Sequence, residues 1–181
     1  MDPSSLDQPL STDRLELEPL GEAHAEPLFG PLQHPDLYTW ISGRPPADLD
    51  GLRRRWAHLA ATRRSPSGDE AWLAWAVRLR DGPYVGKLDA SVDGAQVAIN
   101  VGYLLFPDAW GRGYATEAVG ALTRFLLAEG VGPLFATVTR GNVASSRVLE
   151  KCGYEFTRIL PDNDVIRGVP HDDLEYVHPR R

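Results

Sequence analysis

The sequence predicts an α/β fold in which strands and helices are mixed along one domain. Three segments, residues 71–79, 84–92 and 96–106, have strand-like composition and are joined by short turns that contain glycine, which favours an antiparallel meander. Other segments have the apolar period of helices, and a short apolar strand precedes the last of them. Together these patterns predict a sheet flanked by about four helices.

The N-terminal part predicts a tail, one strand and two helices. Residues 1–10 contain two prolines and two serines and are interpreted as a flexible tail, so the domain is assigned to residues 11–181. Residues 14–19 alternate polar and apolar side chains, as a half-exposed strand does. Helical periodicity covers residues 21–33 and 48–64.

Within the third strand of the meander, alternation separates two faces, of which the first is expected to build core. One face carries Val97, Ile99, Val101, Tyr103 and Leu105, and the other carries Asn100, Gly102 and Leu104.

The C-terminal part predicts two further helices and three strands. One helix is expected from Tyr114 to about residue 129, and Asn142 is the expected N-cap of the last helix. Gly153 suits the left-handed position that follows the C-terminus of that helix. The predicted strands cover residues 134–138, 154–159 and 173–178.

The composition excludes several classes of protein. With 181 residues, 43% of them hydrophobic, the chain can bury the core of one globular domain. The formal charge of −6 argues against a general nucleic-acid binder, and no apolar run is long enough to cross a bilayer. The first residues lack a secretory pattern, so a cytoplasmic protein is expected. The single cysteine, Cys152, is expected to pack rather than to react.

The most informative segment is the glycine-containing turn before the helix that starts at Tyr114. Gly111 and Gly113 let a ligand approach the backbone, and the first amides of a helix have no intrahelical acceptor. Such a turn suits an anion such as a phosphate. A dinucleotide-binding fingerprint would need a third glycine where Thr116 stands, and the Gly-Lys-Ser/Thr of a Walker loop is absent.

Two sequence blocks resemble the GNAT superfamily of acyl-CoA-dependent N-acyltransferases. Residues 110–115, Trp-Gly-Arg-Gly-Tyr-Ala, resemble the pyrophosphate loop of that family, Gln/Arg-x-x-Gly-x-Gly/Ala. The following Thr-Glu-Ala, and residues 142–154, Asn-Val-Ala-Ser-Ser-Arg-Val-Leu-Glu-Lys-Cys-Gly-Tyr, are similar to the RimJ/RimL branch of ribosomal-protein N-terminal acetyltransferases and their small-molecule relatives. A weaker likeness at residues 12–17 and 34–36 extends the resemblance over nearly the whole chain.

The resemblance implies the GNAT fold, a mostly antiparallel mixed sheet in which two central parallel strands splay apart and acyl-CoA lies in the gap. It implies transfer of an acetyl group from acetyl-CoA to a primary amine, in the first place a protein N-terminal α-amine, with no metal. A small amine such as an aminoglycoside, polyamine or metabolite, and a non-catalytic acyl-CoA-binding module, stay open as alternatives. The expected partners are acetyl-CoA and the amine acceptor, not nucleic acid or membrane, and a homodimer stays open.

The resemblance also implies where acetyl-CoA binds. Backbone groups at the end of the meander would pair with the pantetheine arm, and the glycine turn would hold the pyrophosphate. Trp110 is expected to pack beneath the turn. The implied acetyl-CoA-binding residues are Leu104, Leu105, Phe106, Gly111, Arg112, Gly113, Tyr114, Ala115, Thr116 and Asn142.

Ser145 is the implied catalytic residue, because the RimJ/RimL branch places a serine near the thioester sulfur. Many other GNAT enzymes use a tyrosine as general acid where Leu149 stands, and a glutamate as general base where Asn100 stands. Without that base, an α-amine with a pKa of about 8 is favoured over a lysine with a pKa of about 10.4. The remaining candidate bases are His171, Asp172, Asp173 and Glu175, or a chain of water molecules.

The acceptor pocket is expected between the loop that joins the first two helices and the closing strands. Its candidate lining residues are Asp36, Tyr38, Trp40 and Asp172. Their mixture of aromatic and acidic side chains suits an ammonium group.

Overall fold

An eight-stranded sheet runs through residues 5–179, the part of the chain that the computed structural model describes. The strands are β1 (Leu10–Ser11), β2 (Leu15–Pro19), β3 (Ala71–Leu79), β4 (Tyr84–Val92), β5 (Ala98–Leu105), β6 (Leu134–Thr139), β7 (Glu155–Ile166) and β8 (Val169–His178). The helices are α1 (Ala25–Phe29), α2 (Leu49–Thr62), α3 (Tyr114–Ala128) and α4 (Val143–Lys151). The strands are hydrogen-bonded in the order β1-β2-β3-β4-β5-β6-β8-β7, and of these neighbours β5 and β6 are parallel.

The four helices cover both faces of this sheet. In one cluster Leu122 of α3 is fully buried together with Trp75 of β3. In the other, Trp56 of α2 packs with Ala76, the next residue along β3. Because neighbouring side chains of a strand point to opposite faces, this separation gives a three-layer arrangement with the sheet in the middle.

The parallel strands β5 and β6 diverge after one register pair, in which Ala98 faces Leu134. On its other side β5 stays paired with β4 along its length. A gap therefore opens between β5 and β6 in the middle of the sheet, and the predicted splayed parallel pair is confirmed.

The helix predicted over residues 21–33 is wrong as a single element. It is divided into a 3₁₀ turn at Glu22–His24, the short α1 and another 3₁₀ turn at Pro31–Gln33, and a further 3₁₀ turn follows at Pro35–Tyr38. Proline has no amide hydrogen to donate to the carbonyl of the fourth residue before it. Pro31 and Pro35 therefore prevent an α-helix from continuing through them.

The flexible tail predicted for residues 1–10 is wrong for its second half, while residues 1–4 lie outside the described residues. Leu6 is buried in the core with 1% of its surface exposed. Nε of Arg63 lies 2.8 Å from Oδ2 of Asp7, and the indole of Trp75 donates to the carbonyl of Gln8 at 2.8 Å. This segment passes over the sheet and leads directly into β1.

Two strand predictions also need correction. A β-bulge in the β4–β5 pairing buries Ala98 and leaves Ile99 41% exposed, although alternation had placed Ile99 on the core face. The closing strands β7 and β8 are longer than predicted, because they pair as a hairpin around Arg167 and Gly168, which both have positive φ. The β7–β8 pairing is interrupted between Leu160 and Asp164 and resumes at Asp164, so residues 161–163 form an irregularity within β7.

Candidate active site

The turn before α3 exposes a row of unpaired backbone amides. Gly111 and Gly113 have φ of 71° and 79°, a region that glycine enters without strain. Gly113 is the N-cap of α3 and provides no side-chain hydrogen bond. Within the described chain, no acceptor faces the amides of residues 111–116. Together with the positive end of the helix dipole, these amides form a site for an anion.

The turn is braced by Arg14, which sequence reasoning did not assign to the site. Its Nη1 donates to the carbonyl of Arg112 at 3.0 Å, and its guanidinium lies 4.6 Å from the ring centre of Tyr114. Glu117 of α3 accepts from Nε of Arg14 at 2.6 Å and from the hydroxyl of Thr12 at 2.6 Å. Burial alone would raise the pKa of Glu117, but these hydrogen bonds outweigh it and hold the pKa below its usual value.

Trp110 does not pack beneath the turn as expected. Its side chain is 50% exposed, and its indole donates to the carbonyl of Leu105 at 2.6 Å. The indole thus links the turn to the end of β5.

Backbone groups at the end of β5 alternate between β4 and the gap. The amide of Phe106 donates to the carbonyl of Val85 at 2.8 Å, and the carbonyl of Leu104 lies against Gly86. The carbonyl of Leu104 and the amide of Phe106 therefore face β4, away from the site that the sequence assigned to them, and the carbonyl of Phe106 accepts from the amide of Ala109 at 2.9 Å. By alternation, the groups of Leu105 and of Tyr103, which was not assigned to this role, face the gap.

A cavity of about 680 Å³ occupies the gap between β5 and β6. The loop after residue 38 closes one side, because the hydroxyl of Thr139 donates to the carbonyl of Trp40 at 3.0 Å and the amide of Ser42 donates to Oδ2 of Asp164 at 3.2 Å. The lining includes Asn100, at the position where the family resemblance leads one to expect a glutamate.

Ser145 of α4 lies in the cavity wall and is hydrogen-bonded to Tyr103 of β5. Asn142 caps α4 as predicted, with its Oδ1 accepting from the amide of Ser145 at 3.2 Å. The hydroxyl of Tyr103 lies 2.7 Å from Oγ of Ser145 and donates to its carbonyl at 2.9 Å. Burial raises the pKa of Tyr103, so the phenol remains protonated at neutral pH and can donate a hydrogen bond.

Three carboxylates line the cavity, and their environments differ. Asp89 accepts from the ammonium of Lys87 at 2.9 Å, and Asp164 accepts from backbone amides. Asp173 is 5% exposed, and its Oδ2 accepts from the amide nitrogen of Asn163 at 2.8 Å. Its Oδ1 is buried and meets no donor in the described chain.

Of the four acceptor-binding residues predicted from the sequence, two line the cavity and two do not. Tyr38 and Trp40 line the cavity, but Asp36 and Asp172 lie outside its lining, which contradicts their assignment. Asp172 instead forms an ion pair with Arg140.

Of the four candidate bases, Asp173 alone lines the cavity. Glu175 is held by Arg158, and Asp172 and His171 also lie outside the lining. Cys152 is half-buried, and burial raises the pKa of its thiol to about 11, in agreement with a packing role.

Among residues 5–179, no group of three or more His, Cys, Asp or Glu side chains is arranged to hold a metal ion. None of the helices in this range has the length and apolar character required to span a membrane.

Comparison with known proteins gives one family. The model of the acetyltransferase (GNAT) domain matches residues 14–155. The uncharacterized protein YkkB of Bacillus subtilis strain 168 is 30% identical over 158 residues, which cover 83% of this chain and 87% of YkkB.

Solved structures share the fold at low sequence identity. RimL, a ribosomal L7/L12 alpha-N-protein acetyltransferase in complex with coenzyme A, has a TM-score of 0.84 at 16% identity, covering 95% of this chain and 98% of RimL. MccE, a microcin C7 self-immunity acetyltransferase in complex with acetyl-CoA and AMP, has a TM-score of 0.80 at 17% identity, covering 93% of each chain. The chain therefore belongs to the acetyltransferase (GNAT) domain family and is an acyl-CoA-dependent N-acyltransferase.

Proposed function

We propose that the protein transfers the acetyl group of acetyl-CoA to the α-amino group of a peptide or protein N-terminus. The observation that carries this proposal is the gap between β5 and β6, which has unpaired amides at one end and a cavity with Ser145 and a buried carboxylate at the other. The likeness to RimL, a protein α-amine acetyltransferase by name, supports the choice of acceptor.

Acetyl-CoA fits the polar groups that this gap leaves unpaired. The amides of residues 111–116 would hold the diphosphate, and the Arg112 side chain would add a charge-assisted contact. The backbone of Tyr103 and the amide of Leu105 would pair with the pantetheine arm as an added strand does. The carbonyl of Leu105 already accepts one hydrogen bond, from the indole of Trp110. Asn142 uses its oxygen as a helix cap, so its amide nitrogen is free to donate.

The reaction forms a bond between the acceptor nitrogen and the acetyl carbon and breaks the bond between that carbon and sulfur. The nitrogen loses a proton, and the departing sulfur takes one up. Because a thiol has a pKa of about 8.5, a weak donor is sufficient at neutral pH. We assign this support to the hydroxyl of Ser145, which Tyr103 holds in the cavity wall.

A small amine that also carries an anionic group is the second candidate acceptor. Arg44 and Arg55 line the same cavity, and neither forms an ion pair within the described chain. The likeness to MccE, whose structure holds AMP, is in line with this alternative.

Release of free thiol from acetyl-CoA tests the function. The assay uses hexapeptides with a free N-terminal alanine or serine, the same peptides with a blocked N-terminus, and free lysine. We expect thiol release with the free peptides and a more than tenfold slower release with the other two. Activity on a small amine that carries a phosphate group, with no activity on any peptide, would select the second candidate. Acetyl-CoA binding without thiol release would refute transfer.

In the same assay, Ser145→Ala should lower kcat about tenfold while leaving the Kd of acetyl-CoA within about twofold. Ser146→Ala, the same change at the next residue of α4, serves as control. An unchanged kcat in the Ser145 variant would remove the hydroxyl from the mechanism.

A further inference from the structure

Asp173 combines burial with an unsatisfied charge. It lies on β8, opposite Thr139 of β6 and Leu160 of β7. Its side chain enters the wall of the β5–β6 cavity with 5% of the residue exposed. One carboxylate oxygen accepts from Asn163, and the other is buried without a donor in the described chain. A buried carboxylate oxygen without a donor is unfavourable, so such an atom requires a partner, which is either an ordered water molecule or a group of a ligand.

The other carboxylates near the cavity do not share this property. Asp89 has Lys87 as its cation, and both oxygens of Asp164 accept from backbone amides. Asp7 also has a buried oxygen without a donor, but its second oxygen pairs with Arg63 and the residue is outside the cavity lining. Asp173 is thus the carboxylate that both lines the cavity and has a buried oxygen without a donor in the described chain.

We infer that Oδ1 of Asp173 binds the amino group of the acceptor and selects acceptors that enter the cavity as an ammonium ion. An ammonium or amine nitrogen supplies the N–H donor that this oxygen lacks. The hydrogen bond from an ammonium ion is charge-assisted and is therefore stronger than the hydrogen bond from a neutral amine. The carboxylate holds the acceptor nitrogen in the cavity that Ser145 also lines. This inference rests on the proposed function, because it specifies which group of the protein receives the amine.

The surrounding charges are compatible with this role. The cavity is lined by Asp164 from β7, by the Lys87–Asp89 pair from β4, and by Arg44 and Arg55 from the loop and from α2. Asp89 and Lys87 neutralise each other. None of the three cations forms an ion pair with Asp173. The charge of Asp173 is therefore not neutralised by a cation of the cavity lining.

The test compares Asp173→Asn with Asp162→Asn, the same chemical change in the same hairpin at an exposed residue that does not line the cavity. The second change is compatible with the backbone, because Asp162 has a φ of 50°, which asparagine tolerates. For each protein we would measure the thermal midpoint, the Kd of acetyl-CoA, the Kd of an alanyl hexapeptide in the presence of saturating CoA, and the rate of thiol release with that peptide.

For Asp173→Asn we expect a thermal midpoint equal to or above that of the wild type, because the change replaces a buried unpaired charge with a neutral amide. The Kd of acetyl-CoA should stay within about twofold, and the Kd and KM of the peptide should rise by about tenfold to a hundredfold, the range of one charge-assisted hydrogen bond. Asp162→Asn should match the wild type in all four measurements.

Three outcomes would overturn the inference. An unchanged Kd and KM for the peptide would do so, and so would a lower thermal midpoint together with weaker acetyl-CoA binding, which would show a structural role. Failure of the wild type to bind the peptide at all is the third. If peptide binding depends on Asp173 but the wild type does not acetylate the peptide, the proposed function is refuted and the inference stands. Equal acetylation by wild type and Asp173→Asn would refute the inference and keep the function.

Discussion

The interactions of Glu117 allow a quantitative test of how the anion-binding turn is held in place. The side chain joins the N-terminal strand region to α3. It accepts hydrogen bonds from the Thr12 hydroxyl, the Arg14 amide and the Arg14 guanidinium, at 2.6, 3.0 and 2.6 Å. Glu117→Gln keeps the size of the side chain and removes its charge. The new amide group then faces the Arg14 guanidinium, so that two donors oppose each other.

The expected loss follows from the exposure of the two partners. A hydrogen bond to a charged group contributes about 1.5–3 kcal/mol. The Arg14 side chain is 48% exposed and that of Glu117 is 18% exposed, so solvent screening reduces the expected loss to about 1–2 kcal/mol. For a chain of this length, each kcal/mol lowers the thermal midpoint by about 2–4 °C. The Glu117→Gln midpoint should thus fall by about 2–8 °C.

The Kd of acetyl-CoA should rise about threefold to tenfold, because Arg14 also holds the carbonyl of Arg112 in the turn. Thermal unfolding and calorimetry measure the two effects. Glu129→Gln, an exposed glutamate at the end of the same helix, is the matched control and should change neither value.

The pH dependence of stability gives an independent check. The folded-state pKa of Glu117 lies below its usual value of 4.5, so its contribution is complete above pH 4.5 and is lost as the pH falls through the folded-state pKa. The stability difference between wild type and Glu117→Gln should therefore disappear in acid. A difference that persisted there, or no difference at neutral pH, would refute the reasoning.

Three further changes test other parts of the site. Gly113→Asp places a carboxylate at a φ of 79° beside the diphosphate, and we expect the Kd of acetyl-CoA to rise about a hundredfold; unchanged calorimetric affinity would contradict the placement of the diphosphate. Tyr103→Phe removes the hydroxyl that lies 2.7 Å from Oγ of Ser145, so kcat should fall about tenfold with little change in acetyl-CoA affinity, and an equal kcat would exclude this role. Gly86→Ala would press a Cβ onto the carbonyl of Leu104 and separate β4 from β5, so the free energy of unfolding should fall by about 3 kcal/mol; an unchanged urea midpoint would show that the strands can adjust.

Features that depend on neighbouring residues were predictable from the sequence. Asn142 caps α4, Gly153 has a φ of 86° after its end, and α3 begins at Tyr114 as expected. The glycine turn and its exposed amides follow from residues 110–116 alone. Helix caps and glycine turns are determined by local backbone geometry, which a short stretch of sequence carries.

The acceptor side was only partly predictable, because its residues come together through long-range pairing. Asp172 and Asp173 are adjacent, and either could have faced the cavity. The pairing of β8 with β6 and β7 placed Asp173 inside and left Asp172 with Arg140 outside. Likewise, the contact of Tyr103 with Ser145 joins residues 42 positions apart.

The sequence by itself determined the family, the order of the main elements and the anion-binding turn, since each of these depends on local patterns or on short blocks of residues. Only the tertiary structure decided which of the candidate bases lines the cavity, that Arg14 and Glu117, which are 103 positions apart, are joined beside the turn, and that Leu6 packs into the core. Side-chain alternation says that successive residues of a strand face opposite ways, but the pairing partners of the strand decide which way is inward.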